Sequence, residues 1–383
     1  MLSERYRTKY MIISAEFNPE DNTLVVSYYD QEGRVAFIKK PIQQIDLFNW
    51  ITTPNPTEFR NWDNRFLKKS PSKWLSRFRI EELIESRMSK EDLAKIYGNY
   101  NPRKYFLDIE VKLINQDFPE PAKAEREVNL ITFVNEENII YTMSTTENFE
   151  PAETQRMEDE VNEYLEKCGQ KFTLKYMYFE NELALMTAFF KKILPKIPFL
   201  TGWNVVAFDW VYLINRAKKI GINPMEWMQC EKLIGQNKLP IHMGLLDYME
   251  VFQNAKPYKV VENYKLDYIA ELVLGVTKMH HEYGSMLEAQ GDTFNFAKYN
   301  IVDTCLVKLM DDRLKLLEVA FAISRFAKLE VSKVFGNVFI AEILMCREFL
   351  IKNRFLANDK RDLGEETTYA GAYVMKPVPG FYK

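Results

Sequence analysis

The residues of this 383-residue chain best suited to chemistry are acids in short apolar contexts. Asp108 and Glu110 stand in Tyr-Phe-Leu-Asp-Ile-Glu-Val, where the two-residue period of a strand points both carboxylates to one face. Two adjacent carboxylates repel each other unless a divalent cation neutralises them, so the pair suits Mg²⁺ or Mn²⁺. The pair alone is weak evidence, because 54 acids in 383 residues give about eight acid-x-acid pairs by chance.

Two further stretches place acids at helix starts or on one helix face. Asp209 follows Thr-Gly-Trp-Asn-Val-Val-Ala-Phe at a predicted strand-to-helix junction, where capping of the helix explains it equally well. Tyr299 and Asp303 are four residues apart, so the phenol and the carboxylate share one helix face beside an apolar stripe. A half-exposed helix start, with an acid favoured by the helix dipole, is an equally good interpretation of this second pair.

Taken in order, D-x-E, N-x-x-x-F-D and Y-x-x-x-D resemble the three exonuclease motifs of the tyrosine branch of the DEDD 3′–5′ exonucleases. The stretches F-L-D-I-E-V, T-G-W-N-V-V-A-F-D, L-L-D-Y-M-E and Y-N-I-V-D are similar to the amino-terminal half of family B replicative DNA polymerases of the T-even-phage type. The likeness covers most of residues 100–383 and, more loosely, the first hundred. It implies a proofreading exonuclease that hydrolyses 3′-terminal nucleotides of single-stranded DNA.

The resemblance assigns a role to each matching residue. Asp108, Glu110 and Asp303 correspond to metal-ligand carboxylates, and Asp209 corresponds to the fourth acid, which helps to hold a second metal. Tyr299 corresponds to the phenol that orients the attacking water. Two Mg²⁺ ions, with Mn²⁺ as the alternative, would activate this water, clamp the scissile phosphate and stabilise the leaving 3′ oxygen. This chemistry needs no side-chain nucleophile.

Other positions carry less specific implications of the same resemblance. Asn204 and Phe208 correspond to positions that contact the 3′-terminal nucleotides. Asp247, in Leu-Leu-Asp-Tyr, falls at a recurrent acid of the family that we interpret as structural. The polar segment Cys230–Met243 occupies the place of a hairpin that helps to pass a primer end between sites, and it is short for that role.

The charge distribution suggests a second contact with nucleic acid. The net charge is −3, but residues 1–104 carry 18 Lys and Arg against 14 Asp and Glu. Basic residues alternate with Trp and Phe between Arg60 and Arg79, a composition that could neutralise phosphates and stack on bases. An amphipathic segment with core aromatics is an equally good interpretation. The DNA-binding candidates in this stretch are Arg65, Lys68, Lys69 and Lys73.

The predicted elements give an α/β (α+β) protein. Strands are predicted at 11–17, 24–29 and 35–39, then at 105–111, 129–134, 139–143 and 199–206, and helices at 80–97, 181–194, 209–219 and 292–329. Alternating strands and helices indicate an α/β domain. The resemblance implies an RNase H-like mixed sheet flanked by helices at 105–330. It also implies a smaller β-rich domain at 1–104, with 331–383 returning to it and leading toward an absent palm.

The polymerase motifs of the family are missing, while Gly371–Tyr382 resembles the strand and turn that precede the first of them. We therefore expect either one chain of a split bacteriophage polymerase or a shortened piece. The expected partners are a primer 3′ end, a separate chain with palm, fingers and thumb, a sliding clamp reached through that chain, and RNA at the amino-terminal domain. The charged first residues and the lack of an 18-residue apolar run predict a cytoplasmic protein, without membrane contact.

Two alternative functions stay open at the level of sequence. A non-catalytic scaffold could bind nucleic acid and dock a polymerase chain, although decayed exonuclease domains usually lose one of these acids. A free-standing repair or RNA-trimming exonuclease is disfavoured by the hundred-residue amino-terminal region and by the tail that resembles the approach to a palm.

Overall fold

The fold was analysed in a computed structural model, which describes residues 12–96, 100–114, 118–224, 233–234, 239–240, 243–258, 260–279 and 286–359. Within these ranges, no helix has both the length and the apolar composition needed to cross a bilayer.

The strands in the described residues form one large and three small sheets. In chain order the strands are β1 (Ile12–Asn18), β2 (Thr23–Tyr29), β3 (Val35–Pro41), β4 (Phe48–Thr52), β5 (Leu67–Pro71), β6 (Lys104–Val111), β7 (Val128–Asn135), β8 (Ile139–Ser144), β9 (Thr173–Tyr178), β10 (Phe199–Gly202), β11 (Leu233–Ile234), β12 (Leu239–Pro240) and β13 (Gly244–Asp247). The large sheet has the order β13-β10-β6-β7-β8-β9 and mixes parallel with antiparallel pairs. The strands β1, β2 and β3 form an antiparallel sheet of their own.

The helices follow the strands of the large sheet and the small amino-terminal sheets. They are α1 (Arg77–Arg87), α2 (Lys90–Ile96), α3 (Pro151–Tyr164), α4 (Glu182–Ala188), α5 (Asp209–Lys219), α6 (Tyr248–Ala255), α7 (Leu266–Leu274), α8 (Met286–Ala289), α9 (Thr293–Leu314), α10 (Leu316–Ala327) and α11 (Asn337–Ile351). A mixed sheet flanked by helices confirms the predicted α/β architecture of the RNase H type.

Alternation along the central strand β6 gives the large sheet a core on each face. Phe106 belongs to a cluster with α3, α6, α7, α9 and α10, whereas Leu107 and Ile109 belong to a cluster with α4 and α5. Because side chains alternate along a strand, Asp108 and Glu110 lie on the same face as Phe106. The apolar pattern of β6 therefore turns both carboxylates toward the helices that pack on that face.

Several predicted elements differ from the observed ones. The predicted strand 199–206 ends at Gly202, because residues 203–208 form turns. The helix predicted at 80–97 is two helices, and Ser89 accepts a hydrogen bond from the Asp92 amide at the start of the second. The helix predicted at 292–329 is also two, because Lys315 adopts a left-handed conformation with φ of 55°. A break at a lysine carries no glycine or proline signal in the sequence.

Buried ion pairs connect α1 to the segment that follows α10. Glu81 on α1 is fully buried and pairs with Arg347 of α11 at 2.8 Å and with Arg77 at 2.7 Å. Arg77 in turn pairs with buried Glu330 at 2.7 Å. The Arg347 guanidinium also donates to the backbone carbonyls of residues 327 and 328. Contacts between these residues therefore join segments more than 250 positions apart.

Replacing Arg347 should destabilise the fold. We expect Arg347→Ala to lower the free energy of unfolding by about 3 kcal/mol, because it removes one of the partners of a buried carboxylate and leaves two carbonyls unpaired. Urea denaturation followed by circular dichroism measures this. The matched control is Arg156→Ala, since the exposed Arg156–Glu160 pair should contribute less than about 1 kcal/mol. Equal losses in both variants would contradict the assignment.

Candidate active site

The three predicted acidic motifs meet where β6 faces α9. Asp108 and Glu110 project from β6 and keep part of their surface exposed, whereas Asp303 on α9 is 3% exposed. The Asn300 side-chain amide donates to Asp108 Oδ2 at 2.6 Å, which joins the strand to the helix directly. Tyr299 lies one residue before Asn300 and is half-buried. The packing of α9 on this face of the sheet therefore brings the first and third motifs together.

Asp209 reaches the same cluster from the start of α5. The N-cap residue of this helix is Phe208, and Asp209 Oδ1 instead accepts a hydrogen bond from the Ile109 amide at 3.0 Å. Because this hydrogen bond joins Asp209 to the strand that carries Asp108, it favours a role for Asp209 in the acidic cluster over simple helix capping. Gly202 allows β10 to approach β6 this closely, since a Cβ at this position would lie 2.3 Å from the carbonyl oxygen of Leu107.

Asp247 fixes the turn between β10 and α5. Its carboxylate accepts hydrogen bonds from the amides of Asn204 and Val206, each at 3.1 Å, and caps α6 through the Met249 amide at 3.0 Å. Asn204 has a φ of 62°, in the left-handed region that asparagine tolerates better than most residues. These bonds agree with the structural role predicted for Asp247.

Lys278 provides a positive charge in the cluster that the motifs do not include. Its ammonium pairs with Asp303 Oδ2 and lies 5.3 Å from the centre of the Tyr299 ring. The Lys278 amide is held by Asp267 of α7 at 2.7 Å, so the backbone position is also fixed. Burial alone would lower the pKa of Lys278, but the nearby charge of Asp303 raises it above the ordinary value. Lys278 therefore remains a cation at neutral pH.

Desolvation, together with the charges of Asp108 and Asp303, raises the pKa values in this cluster of four acids. Desolvation and the charge of Asp303 raise the pKa of Asp108 to about 7, although Lys278 opposes this. Desolvation, with the charge of Asp108, raises the pKa values of Glu110 and Asp209 well above their usual range. Desolvation also raises the pKa of Asp303, with Lys278 again opposing it. Adding a cation to this cluster would relieve the mutual repulsion.

The acids are not arranged as a finished metal cluster. Among the described residues, no three His, Cys, Asp or Glu side chains lie in positions that could bind one metal ion together. Asp303, Asp108 and Asp209 each direct one oxygen to a protein donor, namely Lys278, Asn300 and Ile109. Asp303 Oδ1, however, is buried without a hydrogen-bond partner in the described part of the chain. Carboxylate oxygens are the donors that Mg²⁺ and Mn²⁺ prefer.

Exposed Phe118 and half-buried Phe208 form an aromatic surface next to Asp209. The rings of Phe118 and Phe208 lie 5.1 Å apart, and 81% of the surface of Phe118 is exposed. Phe208 was predicted from its motif, whereas Phe118 was not. Its one signal in the sequence is an aromatic residue in the polar segment Gln-Asp-Phe-Pro-Glu-Pro between two strands.

The amino-terminal basic stretch divides into structural and exposed cations. Arg77 and Arg79, at its end, are engaged in buried ion pairs. Arg65 pairs with Asp63 at 2.9 Å, and the Lys69 ammonium lies 4.8 Å from the ring of Phe48. The exposed members without such contacts in the described residues are Lys68 and Lys73, and the exposed aromatics are Trp62 and Trp74.

Some predicted features fall on residues that the structure does not describe. Within Cys230–Met243, only β11 and β12 are described apart from Met243, and they pair antiparallel as in a hairpin. The rest of that segment and the tail Gly371–Tyr382 lie outside the described residues.

Neutralising one acid should stabilise the metal-free protein. The pKa of Asp108 is about 7 in the folded chain and about 3.9 when unfolded, so its contribution to stability is complete below pH 3.9 and is lost as pH rises through 7. We expect Asp108→Asn in EDTA at pH 8 to raise the free energy of unfolding by at least about 1 kcal/mol. Guanidinium denaturation at pH 5 and pH 8 measures this.

The matched control is Asp159→Asn, which removes an exposed carboxylate of α3. Mg²⁺ at pH 8 should stabilise the wild-type and Asp159→Asn proteins but not Asp108→Asn. A loss of stability in Asp108→Asn at pH 8 would contradict the repulsion described for this site.

Comparison with known proteins gives the family. The family model described as DNA polymerase family B, exonuclease domain, matches residues 43–269, more than half of the chain. The DNA-directed DNA polymerase of Escherichia phage RB69 is 23% identical over 343 residues, covering 82% of this chain and 38% of that protein. The DNA-directed DNA polymerase of Enterobacteria phage T4 is 20% identical over 346 residues, covering 81% and 37%.

A third relative is the DNA polymerase catalytic subunit of Epstein-Barr virus strain B95-8, 26% identical over 227 residues and covering 53% of this chain and 22% of that protein. The chain spans less than two fifths of the length of each of these three relatives. Because the family model covers more than half of its length, the chain belongs to the family of family B DNA polymerase exonuclease domains.

Proposed function

We propose that this chain is a metal-dependent 3′–5′ exonuclease of the tyrosine branch, which removes 3′-terminal nucleotides from single-stranded DNA and proofreads for a family B replicative polymerase. The observation that carries the proposal is the convergence of Asp108, Glu110, Asp209 and Asp303, with Tyr299, where β6 faces α9. Acids from three separate stretches of the chain interact there. Their repulsion lowers the stability of the fold, so their proximity is better explained by a function than by structure.

The donor set fits divalent cations. Asp108, Glu110 and Asp303, with Asp209 as the fourth acid, would hold two Mg²⁺ or Mn²⁺ ions, and the unpartnered Asp303 Oδ1 is available to one of them. When bound, such ions neutralise the scissile phosphate and promote attack by water. Because Lys278 pairs with Asp303 Oδ2, it would have to release or share this oxygen when a cation binds.

Tyr299 acts by positioning rather than by accepting a proton. Desolvation, and then the charge of Asp303, raises its pKa to about 12, so the phenol stays protonated at neutral pH. A protonated phenol can hydrogen-bond a water molecule and orient it, but it is a poor general base. This agrees with the role that the tyrosine-branch motif implies.

The 3′ end of the strand would be held beside the acids. Asn204 presents its side chain from the turn that Asp247 fixes, and Phe208 with exposed Phe118 offers an aromatic surface for a terminal base. Stacking of a base on an aromatic side chain contributes about 1–3 kcal/mol. Within the amino-terminal region, Lys68 and Lys73 are the best placed of the proposed DNA contacts, ahead of Arg65 and Lys69.

The proposed partners rest on the similarity of this chain to DNA-directed DNA polymerases. We propose that a polymerase portion, with palm, fingers and thumb, is supplied by a separate chain and that a sliding clamp is reached through it. RNA binding at the amino-terminal region is part of the same proposal.

A nuclease assay tests the reaction. On a labelled single-stranded oligonucleotide with Mg²⁺, the chain should release mononucleotides from the 3′ end, and EDTA should abolish release. We expect Asp303→Asn to lower the rate at least about 1,000-fold and Tyr299→Phe about 10- to 100-fold, since the first removes a metal ligand and the second a positioning group.

Asp159→Asn is the control for the nuclease assay and should retain the wild-type rate. An oligonucleotide blocked at its 3′ end should resist the wild-type enzyme, which tests direction. No cleavage with either Mg²⁺ or Mn²⁺, in a folded protein that still binds the oligonucleotide, would favour the scaffold function instead.

The basic stretch is tested by the salt dependence of binding. Replacing both Lys68 and Lys73 by Ala should lower the slope of log affinity against log salt for single-stranded DNA by about 1.4, because each phosphate contact contributes about 0.7. The control replaces the exposed neighbours Lys191 and Lys192 by Ala. Binding is measured by fluorescence anisotropy. Identical slopes in the two double variants would show that Lys68 and Lys73 do not contact the DNA.

A further inference from the structure

A pocket of about 380 Å³ at the carboxyl end of α6 lies outside the acidic cluster. Its base is Phe252, which is 1% exposed, and its walls include Tyr258 and Tyr264. The rings of Phe252 and Tyr258 are 6.2 Å apart and nearly parallel, at 23°, and the ring of Tyr264 is 6.5 Å from Phe252 at 76°. The pocket therefore presents aromatic surface in two orientations to a planar ligand.

Polar groups surround this aromatic surface. Gln253 and Lys256 line the pocket together with the two tyrosines. Among the described residues, no hydrogen bond or ion pair engages the Gln253 amide, the Lys256 ammonium or the hydroxyls of Tyr258 and Tyr264. An apolar base with a few converging polar groups is the usual composition of a small-ligand site. The combination of aromatic faces, an amide and a cation suits a nucleobase that carries a phosphate.

The pocket shares its supports with the acidic cluster. The indole N–H of Trp203 donates to the carbonyl of Tyr264 at 3.0 Å, and the next residue is Asn204. The Asn204 amide donates to Asp247, which caps the opposite end of α6. An eight-residue helix is about 12 Å long. The pocket and Asp247 therefore lie at opposite ends of this helix, separated by about its length, a distance that a few linked nucleotides can cover.

We propose that this pocket binds a nucleobase of the single strand, upstream of the 3′-terminal nucleotide that is hydrolysed. Tyr264 and Tyr258 stack on the base, Gln253 contacts its polar edge, and Lys256 contacts a neighbouring phosphate. The role assigned to the strand rests on the proposed exonuclease function. A free mononucleotide offers the same chemistry, and the test separates it from a base within the strand.

The test measures binding and cleavage separately. Oligothymidylate with one 2-aminopurine, moved stepwise from the 3′ end, is titrated with protein in EDTA, so that no cleavage occurs. We expect Tyr264→Ala to weaken binding about 5- to 150-fold, the range that corresponds to one lost stacking contact, and Tyr264→Phe to bind like the wild type. Quenching of 2-aminopurine at an internal position should be lost in Tyr264→Ala and retained in Tyr264→Phe.

The matched control is Tyr178→Ala, because Tyr178 lies on β9, at an edge of the large sheet, and is 40% exposed against 39% for Tyr264. Hydrolysis of the p-nitrophenyl ester of thymidine 5′-monophosphate, which has no upstream base, should be the same in all these variants. Tyr258→Ala provides a second variant if Tyr264→Ala melts at a lower temperature than the wild type.

Each outcome decides the proposal. Equal oligonucleotide affinity in the Tyr264→Ala, Tyr258→Ala and Tyr178→Ala proteins would overturn it. Binding of dAMP that is lost in Tyr264→Ala, with unchanged oligonucleotide affinity, would assign the pocket to free nucleotides and also overturn it. A wild-type chain that binds the strand through Tyr264 but cleaves nothing would refute the proposed exonuclease function while leaving this pocket supported.

Discussion

Mutual repulsion among four desolvated carboxylates is the constraint that the rest of this structure accommodates. Desolvation raises the pKa values of all four acids, and the charges of Asp108 and Asp303 raise those of neighbouring acids further. The large apolar cores on both faces of the sheet stabilise the fold independently of this cluster. Lys278 and the amides of Asn300 and Ile109 compensate part of the repulsion, one oxygen each. The remaining electrostatic cost is what a divalent cation would remove.

The surrounding elements can be understood as supports for this cluster. The strand β6 fixes two acids to one face, α9 brings Asp303 with Asn300, and α5 begins at the acid that is tied back to the strand. Asp247 then fixes the turn that precedes α5 and begins the helix that leads to the aromatic pocket. Most of these supports are hydrogen bonds between residues distant in sequence, so the site depends on tertiary packing rather than on any one loop.

The local features of the site could be predicted from the sequence, and the long-range ones could not. The two-residue period of a strand predicts that Asp108 and Glu110 lie on one face of the sheet. The helix at Asp209 begins where the motif indicated. The ion pair of Lys278 with Asp303 could not be predicted, because a lysine in an irregular segment carries no periodic signal. The helix break at Lys315 was missed because its cause is a left-handed backbone rather than a residue type.

The predicted DNA contacts of the basic stretch were the least reliable, because they too depend on partners that are distant in the sequence. Composition alone could not separate the cations that pair with buried acids, such as Arg77, from those that face water, such as Lys68. Burial of a charge depends on a partner supplied by another part of the chain, here Glu330, 253 residues away. A cluster of like charges in a sequence therefore gives an upper limit on the charge available at a surface.

The close approach of β10 to β6 at Gly202 limits how this site can evolve. Any side chain at that position would displace the Leu107 carbonyl, and with it the strand that carries Asp108. Under the proposed function, variation in substrate preference would therefore arise elsewhere, in the turn after β10, in the segment of Phe118 or in the walls of the aromatic pocket. The absence of a side chain at Gly202 thus sets the distance between the two strands from which the acidic cluster is built.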